Sequence, residues 1–317
     1  MIKLTLKKFF QLVEIQTKLA SLIPFSLGTV YAVYRYKIFN LKNFIIMFFS
    51  LLAFDMATTA INNYIDHKKS NKVKTNNDVN EKLIAKYGVN ESKVLFIIFA
   101  LLTIATIFGI MLTFNTNIVV LFIGAISFIV GILYTFGPIP ISRMPLGELF
   151  SGIFMGFIII FLSIYIHVYD DNIISFAYKN NILNVSINIV EIIYIFLVSV
   201  PAIIGIANIM FANNICDVEE DILNNRFTLP YYLGKPTSLR LFKLLYYIGY
   251  ADIVVLVVLK IVPLASLLVL LTFIMVNKNI TLFYNKPIKS ETFSLSVKNF
   301  VLLNATLVII IGIALAI

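Results

Sequence analysis

Asp55-Met56-Ala57-Thr58-Thr59-Ala60-Ile61-Asn62-Asn63-Tyr64-Ile65-Asp66 closes an apolar run that begins near Leu41. A run of about 20 apolar residues crosses a bilayer as a helix. This one carries two aspartates, two asparagines and two threonines in its last dozen positions. Offsets of 4, 3 and 4 place Asp55, Thr59, Asn62 and Asp66 on one helical face. A charge at the centre of a span costs ~2.5–3.5 kcal/mol on insertion scales. The stripe therefore cannot face lipid and is expected to line a cavity or a helix interface.

The rest of the chain supports a membrane reading. Of 317 residues, 60% are hydrophobic and 13% charged, and the mean hydropathy is +0.95. A soluble domain carries about 25% charged residues, so this chain cannot cover a soluble surface of its size. A soluble enzyme, a secreted disulfide scaffold and a disordered chain are excluded. The long continuous apolar runs point to helices, since a membrane barrel shows short alternating segments. A single cysteine, Cys216, rules out an intramolecular disulfide.

Nine candidate spans are expected, near 18–36, 41–64, 93–114, 117–136, 145–167, 192–214, 240–259, 261–277 and 298–317. The seventh and eighth are separated only by Lys260-Ile261-Val262-Pro263. The segment before them, residues 1–16, alternates lysines with apolar residues and reads as a retained amphipathic stretch. With nine spans, all but five of the 25 Lys and Arg fall on one side of the membrane, the exceptions being Arg35, Lys37, Lys42, Lys179 and Lys260. The positive-inside rule then places the N-terminus and the long loops in the cytoplasm. The net charge of +9 is accounted for by topology, and no nucleic-acid partner is expected.

The sixth span ends like the second. Asn213-Asn214-Ile215-Cys216-Asp217 repeats Asn62-Asn63-Tyr64-Ile65-Asp66 at a displacement of 151 residues, and Asp221 follows Asp217 by one turn. One such segment reads as a helix cap or an interfacial polar turn. Two at the same side of the membrane read as half-sites of two related halves, 1–140 and 141–317, facing one central cavity. Carboxylate and amide oxygens of this kind suit Mg²⁺, which bridges protein carboxylates to substrate phosphates. Glu219 and Glu220 point elsewhere on the helix and read as solvated.

These segments resemble the UbiA superfamily of intramembrane aromatic prenyltransferases, and within it the 1,4-dihydroxy-2-naphthoate polyprenyltransferases of menaquinone synthesis. The family carries Asn-Asp-x-x-Asp-x-x-x-Asp after its second helix and Asp-x-x-x-Asp after its sixth. Asp217 and Asp221 keep the second motif. Asn62 and Asp66 keep part of the first, while Asn63 and Ser70 stand where the family has aspartates. The stretch from Tyr134 to Glu148, with Gly137-Pro138, Pro140, Arg143, Pro145 and Leu146-Gly147-Glu148, is similar to the Tyr-x-x-Gly-Pro…Leu-Gly-Glu segment of the naphthoate branch. Arg226-Phe227-Thr228-Leu229 and Glu291-Thr292-Phe293 also resemble that branch.

The resemblance implies an all-α polytopic fold, one transmembrane domain over 1–317, and transfer of a polyprenyl group from its diphosphate to an aromatic acid, with CO₂ lost in the naphthoate branch. It implies Mg²⁺ at Asp66, Asp217 and Asp221, assisted by Asn62 and Asn213. Asn63 and Asn214 are expected beside the substrate, Arg143 and Arg226 on its diphosphate, and Tyr134 in orienting substrate or cation. Plainer readings stand beside these. Gly152 and Gly156 read as helix packing, and the glycines and prolines of 137–145 read as a loop. His67 reads as solvated, His167 as interfacial and Cys216 as packing. A prenyltransferase for another aromatic acceptor is the nearest alternative. A secondary transporter also has repeats and intramembrane polar residues, but its site belongs at the midplane. A CDP-alcohol phosphatidyltransferase lacks its Asp-Gly…Ala-Arg…Gly spacing here.

Overall fold

The computed structural model describes residues 6–69, 86–87, 89–137, 140–170, 173–179 and 181–316. Ser70 and Pro138, both singled out above, lie outside the described residues, as does the side chain of His67. After a short helix α1 (Leu6–Leu12) come α2 (Leu19–Tyr36), α3 (Leu41–Lys69), α4 (Glu91–Asn115), α5 (Ile118–Thr135) and α6 (Gly147–Tyr165). A hairpin of β1 (Ile174–Lys179) and β2 (Ile182–Ile187) leads to α7 (Ile189–Leu223). Helices α8 (Lys235–Val258), α9 (Leu264–Asn285) and α10 (Phe293–Ala314) complete the chain.

Eight of these helices, α3 to α10, are long and apolar enough to cross a membrane. The ninth expected span forms as α2, an 18-residue helix that is not among the eight. Ser21, Ser26, Thr29, three tyrosines and Arg35 dilute its apolar content. The break between α8 and α9 falls where Lys260 and Pro263 stand, with Lys260 in the left-handed region at φ 57°. Pro263 precedes a 3-10 stretch, Leu264–Thr272, that opens α9.

The hairpin is an addition to the expected all-helical fold. Its register pairs Ile174 with Ile187 and Phe176 with Val185. Cross-strand partners share a face, so Ile174, Phe176, Leu183, Val185 and Ile187 line one side, while Ser175, Asn184 and Ser186 line the other. Leu183, Val185 and Ile187 alternate with Asn184 and Ser186, the period-2 signal of a strand, in a stretch that the sequence reading left between spans.

The chain packs as two compact units, Met1–Ser21 with Ile45–Ser142, and Leu22–Phe44 with Arg143–Ile317. In the first unit, Ala53, Ala57 and Ala60 line the buried side of α3 against Ile97, Leu101 and Ala105 of α4. Small residues let two helix backbones approach closely in a membrane protein, and Ser50 Oγ donates to Ala105 O at 2.8 Å across the same contact.

In the second unit α7 is the central helix. It packs on α6, α8 and α10. Helix α6 widens to π geometry over Gly152–Ile158, and a Cβ at Gly156 would sit 2.6 Å from Ile203 Cα. Both Gly152 and Gly156 therefore serve close approach of α6 to α7. Asn208 Nδ2 donates to Phe242 O at 3.2 Å, and Asn304 Nδ2 to Pro201 O at 3.2 Å. These amides bind the helices to one another where lipid offers no hydrogen-bond partner.

Candidate functional site

Each unit carries one of the two asparagine-asparagine-aspartate segments, and each segment is helical throughout. In the first unit the polar stripe of α3 is divided between two tasks. Its inner part is occupied by Lys18, whose side chain is 2% exposed. Lys18 Nζ donates to Asp55 Oδ1 and to Thr59 Oγ1, both at 2.6 Å, and Ser21 Oγ donates to Asp55 Oδ2. The stripe at Asp55 and Thr59 thus forms a helix interface, one of the two arrangements expected of it.

The outer part of the stripe behaves differently. Asp66 is exposed at the end of α3. Asn62 accepts a long hydrogen bond from Thr135 Oγ1 at 3.4 Å, next to the half-buried Tyr134 in the last turn of α5. Asn63 is buried and turned toward the N-terminal segment, with Nδ2 donating to Leu12 O at 3.0 Å and to Glu14 Oε1 at 3.1 Å. An aspartate there would set a second carboxylate against Glu14, which explains the amide at this position electrostatically.

The second unit gathers more of the predicted residues. Helix α7 has 35 residues, about 52 Å at 1.5 Å per residue. It outruns a hydrocarbon core of about 30 Å, so part of it projects beyond the core. Asp217 is ion-paired with Lys289. Asp221, 4% exposed, lies 3.4 Å from Arg226 Nε through Oδ1, while its Oδ2 is buried without a hydrogen-bond partner. Arg226 N also donates to Asp221 O at 2.8 Å, and Phe227 N to Arg143 O at 3.2 Å. The two predicted arginines therefore stand on loops stitched to each other by the backbone. Asn213 is half-buried. Asn214 is fully buried, and its Nδ2 donates to Glu148 Oε1 at 2.8 Å.

The donors here are carboxylate and amide oxygens, with one buried carboxylate oxygen of Asp221 and the carbonyl oxygen of Asn214 left without partners. That set suits a hard divalent cation such as Mg²⁺. Among the described residues no three His, Cys, Asp or Glu side chains cluster as a complete metal cage. Mg²⁺ commonly takes one or two carboxylates and fills its other positions with water and substrate phosphate.

Two residues in each unit were not singled out from the sequence as site residues. Lys18 and Lys289 counted only toward topology, and Glu14 and Glu148 had no assigned role. A lysine at the start of an apolar span ordinarily snorkels to the membrane surface, so the sequence held no signal for the burial of Lys18. His167, expected at the membrane interface at the far end of α6, is buried at 4% exposure, with Nδ1 accepting from Asn40 N at 3.0 Å.

Comparison with known proteins gives consistent results. A sequence model of the UbiA prenyltransferase family matches residues 21–313. The chain is 30% identical over 249 residues to the 1,4-dihydroxy-2-naphthoate octaprenyltransferase of Bacillus subtilis (strain 168), covering 78% of this chain and 73% of that protein. Among solved structures, a UbiA homolog from Archaeoglobus fulgidus bound to GPP and Mg²⁺ shares the fold at TM-score 0.66 and 13% identity, over 98% of this chain and 100% of that one. A UbiA homolog from Aeropyrum pernix K1 does so at TM-score 0.64 and 18% identity, over 90% and 97% of the two chains.

Proposed function

Because the chain belongs to the UbiA prenyltransferase family, we propose that it transfers a polyprenyl group from polyprenyl diphosphate to 1,4-dihydroxy-2-naphthoate. The acceptor's carboxyl leaves as CO₂ and the product is demethylmenaquinol. The observation that carries this reading is the 30% identity, over 78% of the chain, to a naphthoate octaprenyltransferase. The Tyr134–Glu148 stretch, with Leu146-Gly147-Glu148 in place of a lysine-rich loop, supports the same branch.

In this reading Asp66, Asp217 and Asp221, with Asn62 and Asn213, hold Mg²⁺, and Asn63 and Asn214 stand beside the substrate. The bound cation supplies charge neutralisation to the departing diphosphate. Arg143 and Arg226 contribute guanidinium forks, whose geometry matches phosphate oxygens bidentately. The allylic C–O bond breaks and its electron pair leaves with the diphosphate. The naphthoate carbon bearing the carboxylate, made electron-rich by two ring hydroxyls, forms the new C–C bond. The ring–carboxylate bond then breaks, its electron pair returns to the ring, and aromaticity is restored. Tyr134 orients substrate or cation. The apolar surroundings exclude water, which would otherwise capture the allylic cation.

The test is purified protein with a polyprenyl diphosphate and 1,4-dihydroxy-2-naphthoate labelled in its carboxyl carbon. Labelled CO₂ is expected in step with prenylated naphthoquinol, and none with excess EDTA. Faster prenylation of 4-hydroxybenzoate, or a product that retains the carboxylate, would replace the acceptor. Absence of any prenyl transfer would remove the reading.

A further inference from the structure

The two units share an arrangement that sequence spacing does not reveal. In each, the second asparagine of the Asn-Asn-x-x-Asp segment gives its amide N–H to a glutamate from a separate part of the chain. Asn63 Nδ2 donates to Glu14 Oε1 at 3.1 Å. Asn214 Nδ2 donates to Glu148 Oε1 at 2.8 Å. The glutamates are 49 and 66 residues from their asparagines, as the numbering shows. They also reach them from different local structures. Glu14 sits in left-handed backbone (φ 47°, ψ 61°) between α1 and a 3-10 turn. Glu148 lies in the first turn of α6 and is 5% exposed.

An asparagine side chain has two nearly isosteric orientations, which exchange a donor for an acceptor. A carboxylate accepts only, and hydrogen bonds to charged groups are stronger than neutral ones. A glutamate on one side of the amide therefore selects the orientation that turns Nδ2 toward it and Oδ1 away. In the first unit the second N–H is also consumed, by Leu12 O at 3.0 Å. In the second unit the selected oxygen, Asn214 Oδ1, is buried with no partner, as is Glu148 Oε2. An unpaired buried acceptor is costly, and it stands one helical turn before Asp217, on the side that the carboxylate shares. A group with positive charge or a donor satisfies it.

We propose that Glu14 and Glu148 are the positioning residues of the two segments, each holding its asparagine so that the carbonyl oxygen, not the amide N–H, faces the metal–diphosphate. This rests on the prenyltransferase reading above. It adds to it that each half of the machinery has its own glutamate, which acts through Asn63 or Asn214 and does not itself touch substrate.

Replacement by glutamine separates positioning from packing. Glu148→Gln and Glu14→Gln keep volume and a hydrogen bond but let either amide orientation form. The readout is binding of geranyl S-thiolodiphosphate, which does not ionise, to detergent-purified protein with Mn²⁺ followed by electron paramagnetic resonance. Each variant is expected to keep the wild-type unfolding temperature and to bind the Mn²⁺–thiolodiphosphate about tenfold more weakly, as follows from losing the excess strength of a charged hydrogen bond. In an Asn214→Ala background Glu148→Gln should have no further effect, and likewise Glu14→Gln in Asn63→Ala. Wild-type binding by both glutamine variants, or losses that persist undiminished in the alanine backgrounds, would overturn the proposal. If Glu148→Gln does not purify folded, the Glu14 and Asn63 arm decides, since Glu14 is only half-buried. Failure of wild-type protein to bind the probe with Mn²⁺ would count against the prenyltransferase reading itself, and is told apart from the other outcomes by the wild-type control.

Discussion

Lys18 Nζ stands 2.6 Å from Asp55 Oδ1, with 2% and 12% of the two side chains exposed. Removing one partner of a buried pair strands the other charge at a cost of ~3–5 kcal/mol, whereas replacing both by apolar residues is often neutral. Lys18→Met and Asp55→Leu should each sharply lower the unfolding temperature in detergent. The double variant should recover most of the loss. Additive losses would mean that the pair is not coupled.

Asp217 carries Lys289 as its counter-ion, and more than half of the lysine side chain is exposed. On the proposed Mg²⁺ site, Lys289→Met removes a cation that competes for Asp217. It also removes a positive charge from the approach of the diphosphate. The Mg²⁺ concentration for half-maximal activity should fall, while KM for polyprenyl diphosphate should rise roughly tenfold, the effect of a lost charge-assisted contact. Asp217→Asn should lower kcat by about 10² or more, in the range of losing an electrostatic stabiliser. Steady-state kinetics at varied Mg²⁺ and diphosphate check both.

Gly156→Ala places a methyl 2.6 Å from Ile203 Cα and 2.7 Å from Ile203 N. Neither backbone atom can swing aside, so the helices must part, at ~1–3 kcal/mol or more for overpacking. Gly124→Ala, where nothing lies within 4 Å, should be neutral or stabilising by about 0.5–1 kcal/mol from helix propensity. Thermal unfolding of the two variants in the same detergent makes the comparison.

Burial pulls the His167 imidazole from its ordinary 6.5 down to about 4. The folded protein keeps it neutral until pH 4, while the unfolded chain takes up a proton below about pH 6.5. Stability should therefore decline as pH falls from 6.5 to 4 and level off below that, by at most about 3 kcal/mol from this group. A proton on Nδ1 also displaces the bond from Asn40 N. In His167→Gln the unfolding temperature should vary less over the same pH range.

The charge bias along the chain predicts that 215–239 and 278–297 face the cytoplasm. Cysteines at Asn225 and Ser290, in a chain with Cys216 replaced, should resist an impermeant thiol reagent in intact cells and react after lysis. Labelling from outside would reverse the orientation.

The helical, membrane-crossing character of the chain was legible because apolar length and charge scarcity are properties of composition, which no distant contact alters. Asn213-Asn214-Asp217 stood out because the spacing lies within one helix and recurs at Asn62-Asn63-Asp66, and Asp221 follows by one turn. Lys18 was not, since what makes it unusual is Asp55, 37 residues away and brought to it only by packing. Glu14 escaped for the same reason, and Glu148, noted only as part of Leu146-Gly147-Glu148, gave no sign of Asn214, which it meets across the fold. The β1–β2 hairpin was missed although Leu183, Val185 and Ile187 alternate with Asn184 and Ser186, because a period of two over so few residues is weak beside the long apolar runs on either side. Asn63, where the family has aspartate, stood out in sequence as a deficit. In the structure it is an amide matched to a glutamate.

The π stretch of α6, Gly152–Ile158, lies immediately after the turn that bears Glu148. An α-helix rotates about 100° per residue, whereas i→i+5 bonding takes more residues to complete each revolution. The azimuth at which Glu148 emerges is therefore offset from the one a regular helix running back from Tyr165 would give it. Rewinding the same residues as regular α-helix would swing Glu148 by about 100° around the axis and away from Asn214, whereas deleting one residue together with the π turn would leave it near its present azimuth. The angular phase of this end of α6 is thus stored in seven residues whose side chains need take no part in chemistry.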